Sequence, residues 1–268
     1  MLINYIHWNV DPEIFRIGSV ALRWYGLLFA LGFYFGYLIM MRIFRTEGIP
    51  VSMLDRLSLY MIIATILGAR LGHCLFYQPE YYLKHPLEIL QIWEGGLASH
   101  GAAIGILLAL WLFQKKSGMS YFWVLDRIVI TVALAGALIR LGNLMNSEIY
   151  GIQTSLPWGF IFERNGEMVP KHPTQIYEAI AYLLIFLYLY FAYWKKKAAT
   201  PEGSLLGWFL ILVFAFRFAI EFIKEPQVEF ETTMSLNMGQ WLSLPFVLLG
   251  VYILYRCHSR LKLAKPKK

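Results

Sequence analysis

The chain has 268 residues, of which 58% are hydrophobic and 15% charged, with a formal net charge of +7. A soluble domain carries about 45–50% apolar and about 25% charged residues, so composition excludes an ordinary water-soluble fold. The positive balance then reads as basic cytoplasmic loops rather than a nucleic-acid surface, and nucleic acid is not expected as a partner.

The first eighteen residues hold Asp11 and Glu13 and lack a basic segment followed by a short apolar core, so no cleaved signal peptide is expected. A crossing helix needs about 20 mostly apolar residues. Seven segments qualify, at approximately 19–42, 53–77, 96–114, 121–142, 176–194, 203–223 and 239–256. They predict an all-α polytopic membrane protein with seven transmembrane helices in one integral-membrane domain, 1–268. No internal repeat or domain linker stands out.

Lysine and arginine set the direction. Alternate connections are basic: Arg42 with Arg45, Lys115 with Lys116, Lys195 to Lys197, and a tail holding Arg256, Arg260, Lys262, Lys265, Lys267 and Lys268. The opposite side carries Asp11, Glu13, Glu80, Glu88, Glu94, Glu163, Glu167, Glu225, Glu229 and Glu231. The pattern places the N-terminus outside and the C-terminus in the cytoplasm.

That direction assigns depth to the polar residues within the spans. Arg23 and Tyr25, Arg70 and His73, His100, Arg140 and Asn143, and Arg217 and Glu221 all fall in one outer layer. An arginine at the bilayer centre costs roughly 2.5–3.5 kcal/mol on insertion scales, so such groups persist by pairing, snorkelling or facing a polar cavity. Arg217 and Glu221, four apart, suit mutual neutralisation. Arg23 and His73 suit snorkelling. The arginines together exceed the obvious acidic partners, which favours a cavity for an anion, because the guanidinium fork matches phosphate. Asp126 and Arg127, at the inner start of the fourth span, read as interface or packing residues. Gly32 with Gly36, Gly68 with Gly72, and Gly101 with Gly105 are spaced one turn apart, as close helix packing requires. Cys74 and Cys257 form neither a disulfide framework nor a metal spacing, and read as structural.

The stretch from Arg140 to Gly151 resembles the signature of the prolipoprotein diacylglyceryl transferases, G-R-x-G/A-N-F-x-N-x-E-x-x-G. Arg140, Gly142, Asn143, Asn146, Glu148 and Gly151 match it, while Ile139 replaces a glycine and Leu144 a phenylalanine. Further segments are similar to that family in the same order. They are Trp24-Tyr25-Gly26, Gly95-Gly96-Leu97-Ala98-Ser99-His100-Gly101, His172-Pro173-Thr174-Gln175-Ile176-Tyr177-Glu178, Phe216-Arg217 with Glu221-Phe222, and Met238-Gly239-Gln240. Val213 stands where the family has a tyrosine.

The resemblance implies transfer of a diacylglyceryl group from phosphatidylglycerol to the lipobox cysteine of a prolipoprotein signal peptide, at the outer face of the bacterial inner membrane. The products are a thioether-linked lipid and glycerol phosphate, and no cofactor or metal is implied. With that chemistry, His100 is a candidate base for the substrate thiol, and Arg140 and Arg217 stabilise the phosphate leaving group. Arg140, Asn143, Glu148, Tyr25 and Gly151 are candidates for binding phosphatidylglycerol, supported by Glu221, His172 and Arg70. A structural His100, with an arginine field lowering the thiol pKa, remains an open alternative. A lipid or anion transporter would need determinants on both sides of the membrane, whereas these cluster outside. A retinal receptor would need a Schiff-base lysine in the last span, and Gly239 to Arg256 contains none.

Overall fold

The computed structural model describes residues 5–18, 20–92, 96, 98–226 and 234–263. Gly95 and Leu97 of the third-span motif, the acidic Glu94, Glu229 and Glu231, and Lys265, Lys267 and Lys268 lie outside these residues. In chain order the elements are β1 (Ile6–Trp8), β2 (Glu13–Ile17), β3 (Val20–Arg23), α1 (Trp24–Thr46), α2 (Val51–Phe76), α3 (Pro79–Lys84), α4 (Ser99–Ser117), α5 (Tyr121–Met145), β4 (Phe160–Phe162), α6 (Thr174–Lys196), α7 (Ser204–Ile220) and α8 (Met238–Leu263).

A helix stands on each of the seven apolar segments. Six stretches are long and apolar enough to cross a membrane: Trp24–Thr46, Val51–Phe76, Tyr121–Met145, Thr174–Ala199, Ser204–Ile223 and Met238–Arg260. The 19-residue α4 is not among them. It opens on Ser99-His100 and closes on Gln114-Lys115-Lys116, which lowers its mean hydropathy. The spans expose leucine, isoleucine and phenylalanine broadly; α2 alone shows Leu59, Ile62, Ile63, Ile66 and Leu67. Such faces suit hydrocarbon, not water.

The chain divides into two compact units, Met40–Leu125 and the combination of Met1–Ile39 with Asp126–Lys268. In the Met40–Leu125 unit, α2 packs on α4 through glycine. A side chain on Gly101 would strike the Gly68 carbonyl and lie 2.6 Å from the Gly72 Cα, and one on Gly105 would lie 2.6 Å from the Ala64 carbonyl. The helix backbones therefore touch, and the packing reading of these glycines holds. Gly118, at φ 72°, ends α4 by donating its N–H to the Gln114 carbonyl.

In the other unit, α1 lies on α5, with Gly32 against Ala135 and Gly36 against Thr131. Helices α7 and α8 meet at Gly207 and Gly250, and Phe214 stacks on Phe246 at 4.3 Å. Asp126 accepts the backbone N–H groups of Gly203 (2.6 Å) and Leu206 (2.8 Å), satisfying donors at the start of α7. Arg127 is fully buried, its guanidinium 5.6 Å from the centre of the Tyr193 ring. Both residues are therefore packing elements. Cys74 and Cys257 are buried and unpaired.

The strands depart from the all-α expectation. Strand β1 pairs in parallel with β4, Ile6 opposite Phe160, and β2 with β3 forms an antiparallel hairpin. Their few residues carry no readable alternation, and β1 finds its partner far along the chain. Leu144 packs with Phe160 and Phe162, beside Trp8, Tyr150 and Ile176, and its carbonyl accepts the Trp8 indole N–H at 3.0 Å. Leu144 is thus a full core residue despite departing from the family's phenylalanine.

Candidate active site

Of the candidate residues, those in the unit that holds α5 are organised around the end of that helix. The chain turns there through two non-glycine residues in the left-handed region, Ser147 at φ 54° and Ile149 at φ 61°. Each such residue costs about 1–3 kcal/mol and persists only where its surroundings hold it. Here the Glu148 N–H bonds the Asn143 carbonyl at 3.0 Å, Asn165 donates to the Ser147 carbonyl at 2.6 Å, Gln175 to the Glu148 carbonyl at 2.7 Å and Thr174 to the Ile149 carbonyl at 2.8 Å. The turn directs the Glu148 carboxylate back toward α5. It accepts from Asn143 at 2.7 Å and from Asn146 at 3.2 Å.

The two glycines of this motif make room for backbone. A side chain on Gly142 would lie 2.8 Å from the Tyr25 ring, so its absence lets α1 bring Tyr25 against α5. Gly151 donates its N–H to the His172 carbonyl, and a Cβ there would run into the Ile223 carbonyl and lie 2.8 Å from the His172 Cβ. Gly151 therefore joins the turn to its neighbours and offers no group to a ligand but backbone.

Arg140 is the centre of the constellation. Its Nη1 donates to the Asn143 side-chain carbonyl at 3.1 Å, and its Nε lies 3.2 Å from the Glu178 carboxylate. Glu178 is completely buried, and its other oxygen accepts from Lys224 at 3.0 Å. The Lys224 ammonium also reaches Glu221 at 3.4 Å. Glu221 accepts from Asn237 at 3.0 Å, and its oxygen stands 3.9 Å from the Arg217 Nε. A side chain on Gly239 would come within 2.5 Å of that carboxylate. The chain of charge runs Arg140, Glu178, Lys224, Glu221, Arg217. Removing one partner of such a buried pair costs about 3–5 kcal/mol, because it strands the other charge.

The expected excess of guanidinium is thus partnered but not cancelled, since this chain of charge holds three cations against two carboxylates. Glu178 partners Arg140, and Arg23 pairs with Glu13 at 3.4 Å. Arg70, buried in the Met40–Leu125 unit, donates to the backbone carbonyls of Ile89 (3.0 Å) and Glu88 (2.6 Å). What the site does offer an anion is donor capacity. A guanidinium has five N–H groups. Arg140 spends donors on Asn143 and the Tyr182 hydroxyl and is ion-paired with Glu178, and the 3.9 Å gap from Arg217 to Glu221 is too long for a hydrogen bond.

Tyr25, Arg140, Asn143, Glu148, Gly151, His172, Arg217 and Glu221 thus fall in one compact unit, and His100, Arg70 and His73 in the other. His100 is exposed on the first turn of α4. His73 stacks on Tyr77 at 5.7 Å. His172 lies 3.3 Å from the Tyr177 hydroxyl, and burial lowers its pKa from the usual histidine value, which keeps the ring neutral near pH 7. Lys171 beside it pairs with Glu225 and, at 3.4 Å, with Glu167. An open polar cavity of about 500 Å³ borders Glu148 and Asn146, lined also by Asp11, Glu13, Arg23 and Arg164. Among the described residues no three His, Cys, Asp or Glu side chains gather as metal ligands.

Two members of the network, Glu178 and Lys224, had no role assigned from sequence. Glu178 closes the segment that begins at His172. Lys224 follows Arg217 and Glu221 at helical spacing, which was the signal available for it.

Six stretches long and apolar enough to cross a membrane define an integral membrane protein, and one of its two units holds a buried ion network and a polar turn. Comparison with known proteins gives the family. The prolipoprotein diacylglyceryl transferase family model matches residues 12–256, and the chain belongs to that family. It is 51% identical over 250 residues to the phosphatidylglycerol–prolipoprotein diacylglyceryl transferase of Tolumonas auensis, an alignment covering 93% of this chain and 96% of the relative. The proteins of the same name from Chloroherpeton thalassium (46% identical, 98% of each chain) and Bacteroides fragilis (44% identical, 95% of this chain and 96% of the relative) are also similar.

Proposed function

We propose that this protein transfers the diacylglyceryl group of phosphatidylglycerol to the lipobox cysteine thiol of prolipoproteins at the outer face of the bacterial inner membrane. Family membership over nearly the whole chain supports the activity. The observation that carries the site is Arg140, held among Asn143, Glu178 and Tyr182.

In the reaction, a base takes the S–H proton, sulfur bonds the glyceryl carbon, and the bond from that carbon to phosphate oxygen breaks. Its electron pair leaves on the phosphate, giving glycerol phosphate. Negative charge grows on that oxygen, where fixed guanidinium groups of Arg140 and Arg217 stabilise it in a low-dielectric site. Asn143, Glu148 and Tyr25 orient the glycerol head group, and Gly151, Glu221 and His172 support the arrangement, while Arg70 holds the Glu88–Ile89 backbone of its own unit. A thiol with pKa near 8.5 reacts as thiolate, and His100 serves as the proton acceptor. The test is transfer of labelled glycerolipid from phosphatidylglycerol to a lipobox peptide by the purified protein. No transfer under conditions where the protein is folded and the lipid accessible would overturn the reading.

The proposed topology has seven crossings, α4 included, in one domain with its N-terminus outside. Because the nucleophile belongs to the substrate, a Cys74→Ser/Cys257→Ser variant is expected to keep its transfer activity. In that background, an impermeant thiol reagent added outside should label Met168→Cys, which replaces a side chain 87% exposed, and should miss Lys196→Cys. The reverse labelling pattern would refute the orientation, and loss of transfer in folded protein would point to an enzyme thiol.

A further inference from the structure

Lys224 stands out from the rest of the molecule because it is a lysine with its side chain only 2% exposed, shared by two carboxylates. Each of those carboxylates faces one of the two arginines of the candidate site. We propose that Lys224 is a positioning residue for the lipid step: as the cation common to Glu178 and Glu221, it keeps Arg140 and Arg217 at the separation and with the free donors that a phosphodiester requires. This rests on the reading that Arg140 and Arg217 bind the phosphate of phosphatidylglycerol.

Each carboxylate divides its attraction between Lys224 and an arginine. Glu178 turns one oxygen to Lys224 at 3.0 Å and the other to Arg140 at 3.2 Å. Its second oxygen meets Nε of Arg140, at the side of the guanidinium, while Arg140 Nη1 is directed to Asn143 and the guanidinium also bonds the Tyr182 hydroxyl. Glu221 likewise has Lys224 at 3.4 Å and Asn237 at 3.0 Å, nearer than Arg217 at 3.9 Å. With Lys224 removed, both carboxylates lose their nearer or equal cation, and each closes on its arginine. The guanidinium forks then saturate on protein oxygens and present fewer donors to the lipid. An ammonium suits the task, because it is a compact point charge with three donors that two carboxylates can share. Main chain fixes Lys224 in turn: its backbone bridges to Gly151, and Ile152 donates to the Ile223 carbonyl at 2.9 Å. The same residue thus ties the turn after α5 to the extension of α7.

The test compares native protein, Lys224→Met, Lys224→Arg and Lys224→His, each purified full length, by transfer from phosphatidylglycerol in mixed micelles to a lipobox peptide. Misplacement of a binding group by about 1 Å can cost 10²-fold, so Lys224→Met is expected to lose roughly 10- to 100-fold in kcat/KM for phosphatidylglycerol. Its KM for the peptide should stay near native, and Lys224→Arg should recover most of the loss. Lys224→His carries the charge only when protonated, so its rate relative to native should rise as pH falls. A Lys224→Met enzyme with native KM and kcat for the lipid would overturn the proposal. So would an equal rise in KM for lipid and peptide. If Lys224→Met does not fold, a pH-independent ratio for Lys224→His overturns it as well. Transfer by the native protein tests the underlying activity separately, so failure of the variants and failure of that reading are distinguishable.

Discussion

Arg140→Lys is expected to lower turnover by about 10²–10³-fold, the range seen when one preorganised donor to a developing oxyanion is removed. The substitution keeps a cation opposite the fully buried Glu178, so the fold should survive. What it removes is the fork. Arg140 now reaches Asn143, Glu178 and Tyr182 at once, whereas an ammonium drawn to Glu178 cannot also reach Asn143 and a phosphate in one plane. Asn143 then loses its link to Arg140 and is left with Glu148 alone. Single-turnover transfer, run beside a thermal unfolding measurement in detergent, separates lost chemistry from lost structure. Near-native turnover in the lysine variant would exclude bidentate phosphate recognition by Arg140.

The legible parts of this molecule are those set by neighbours in sequence. Apolar runs located the helices, because a spanning helix satisfies its own backbone and needs only length and hydropathy. The glycine pairs of α2 and α4 gave their packing faces for the same reason. Within the site, Arg140 with Asn143 and Arg217 with Glu221 were readable at spacings of three and four. The remaining contacts join residues far apart. Lys224 meets Glu178 across 46 positions, and Arg70 spends its guanidinium on carbonyls 18 and 19 positions away. Such partners depend on where helices and loops meet, which periodicity does not encode. The excess of basic groups persists at the site, three cations to two carboxylates, but the sequence count did not show how each arginine is partnered. The count lacked a buried carboxylate, Glu178, and it did not allow for backbone oxygens as partners. The strand pairing of Ile6 with Phe160 escaped for the same reason.

His100→Gln is expected to lose about 10²–10⁴-fold in rate, the range of general acid–base catalysis. Structure changes part of the case for this residue. Gly101 beside it is consumed by contact with Gly72, so small neighbours there serve helix packing and do not by themselves make room for a peptide. The better support is that the His100 side chain is exposed, at the first turn of α4, instead of being enclosed as a core histidine would be. An imidazole not enclosed by protein is open to approach by a substrate thiol, which a general base requires. The two roles separate by pH. If His100 takes the thiol proton, raising the pH toward the thiol pKa, near 8.5, supplies thiolate without help and recovers part of the glutamine variant's rate. If His100 is structural and an arginine field activates the thiol, the variant's rate should follow the native pH profile at a constant ratio. The decisive measurement is therefore that ratio from pH 6 to pH 9, with protein shown to be folded at each point. A ratio that rises with pH supports the base, whereas a flat ratio, or an unchanged rate near neutral pH, would remove His100 from the chemistry.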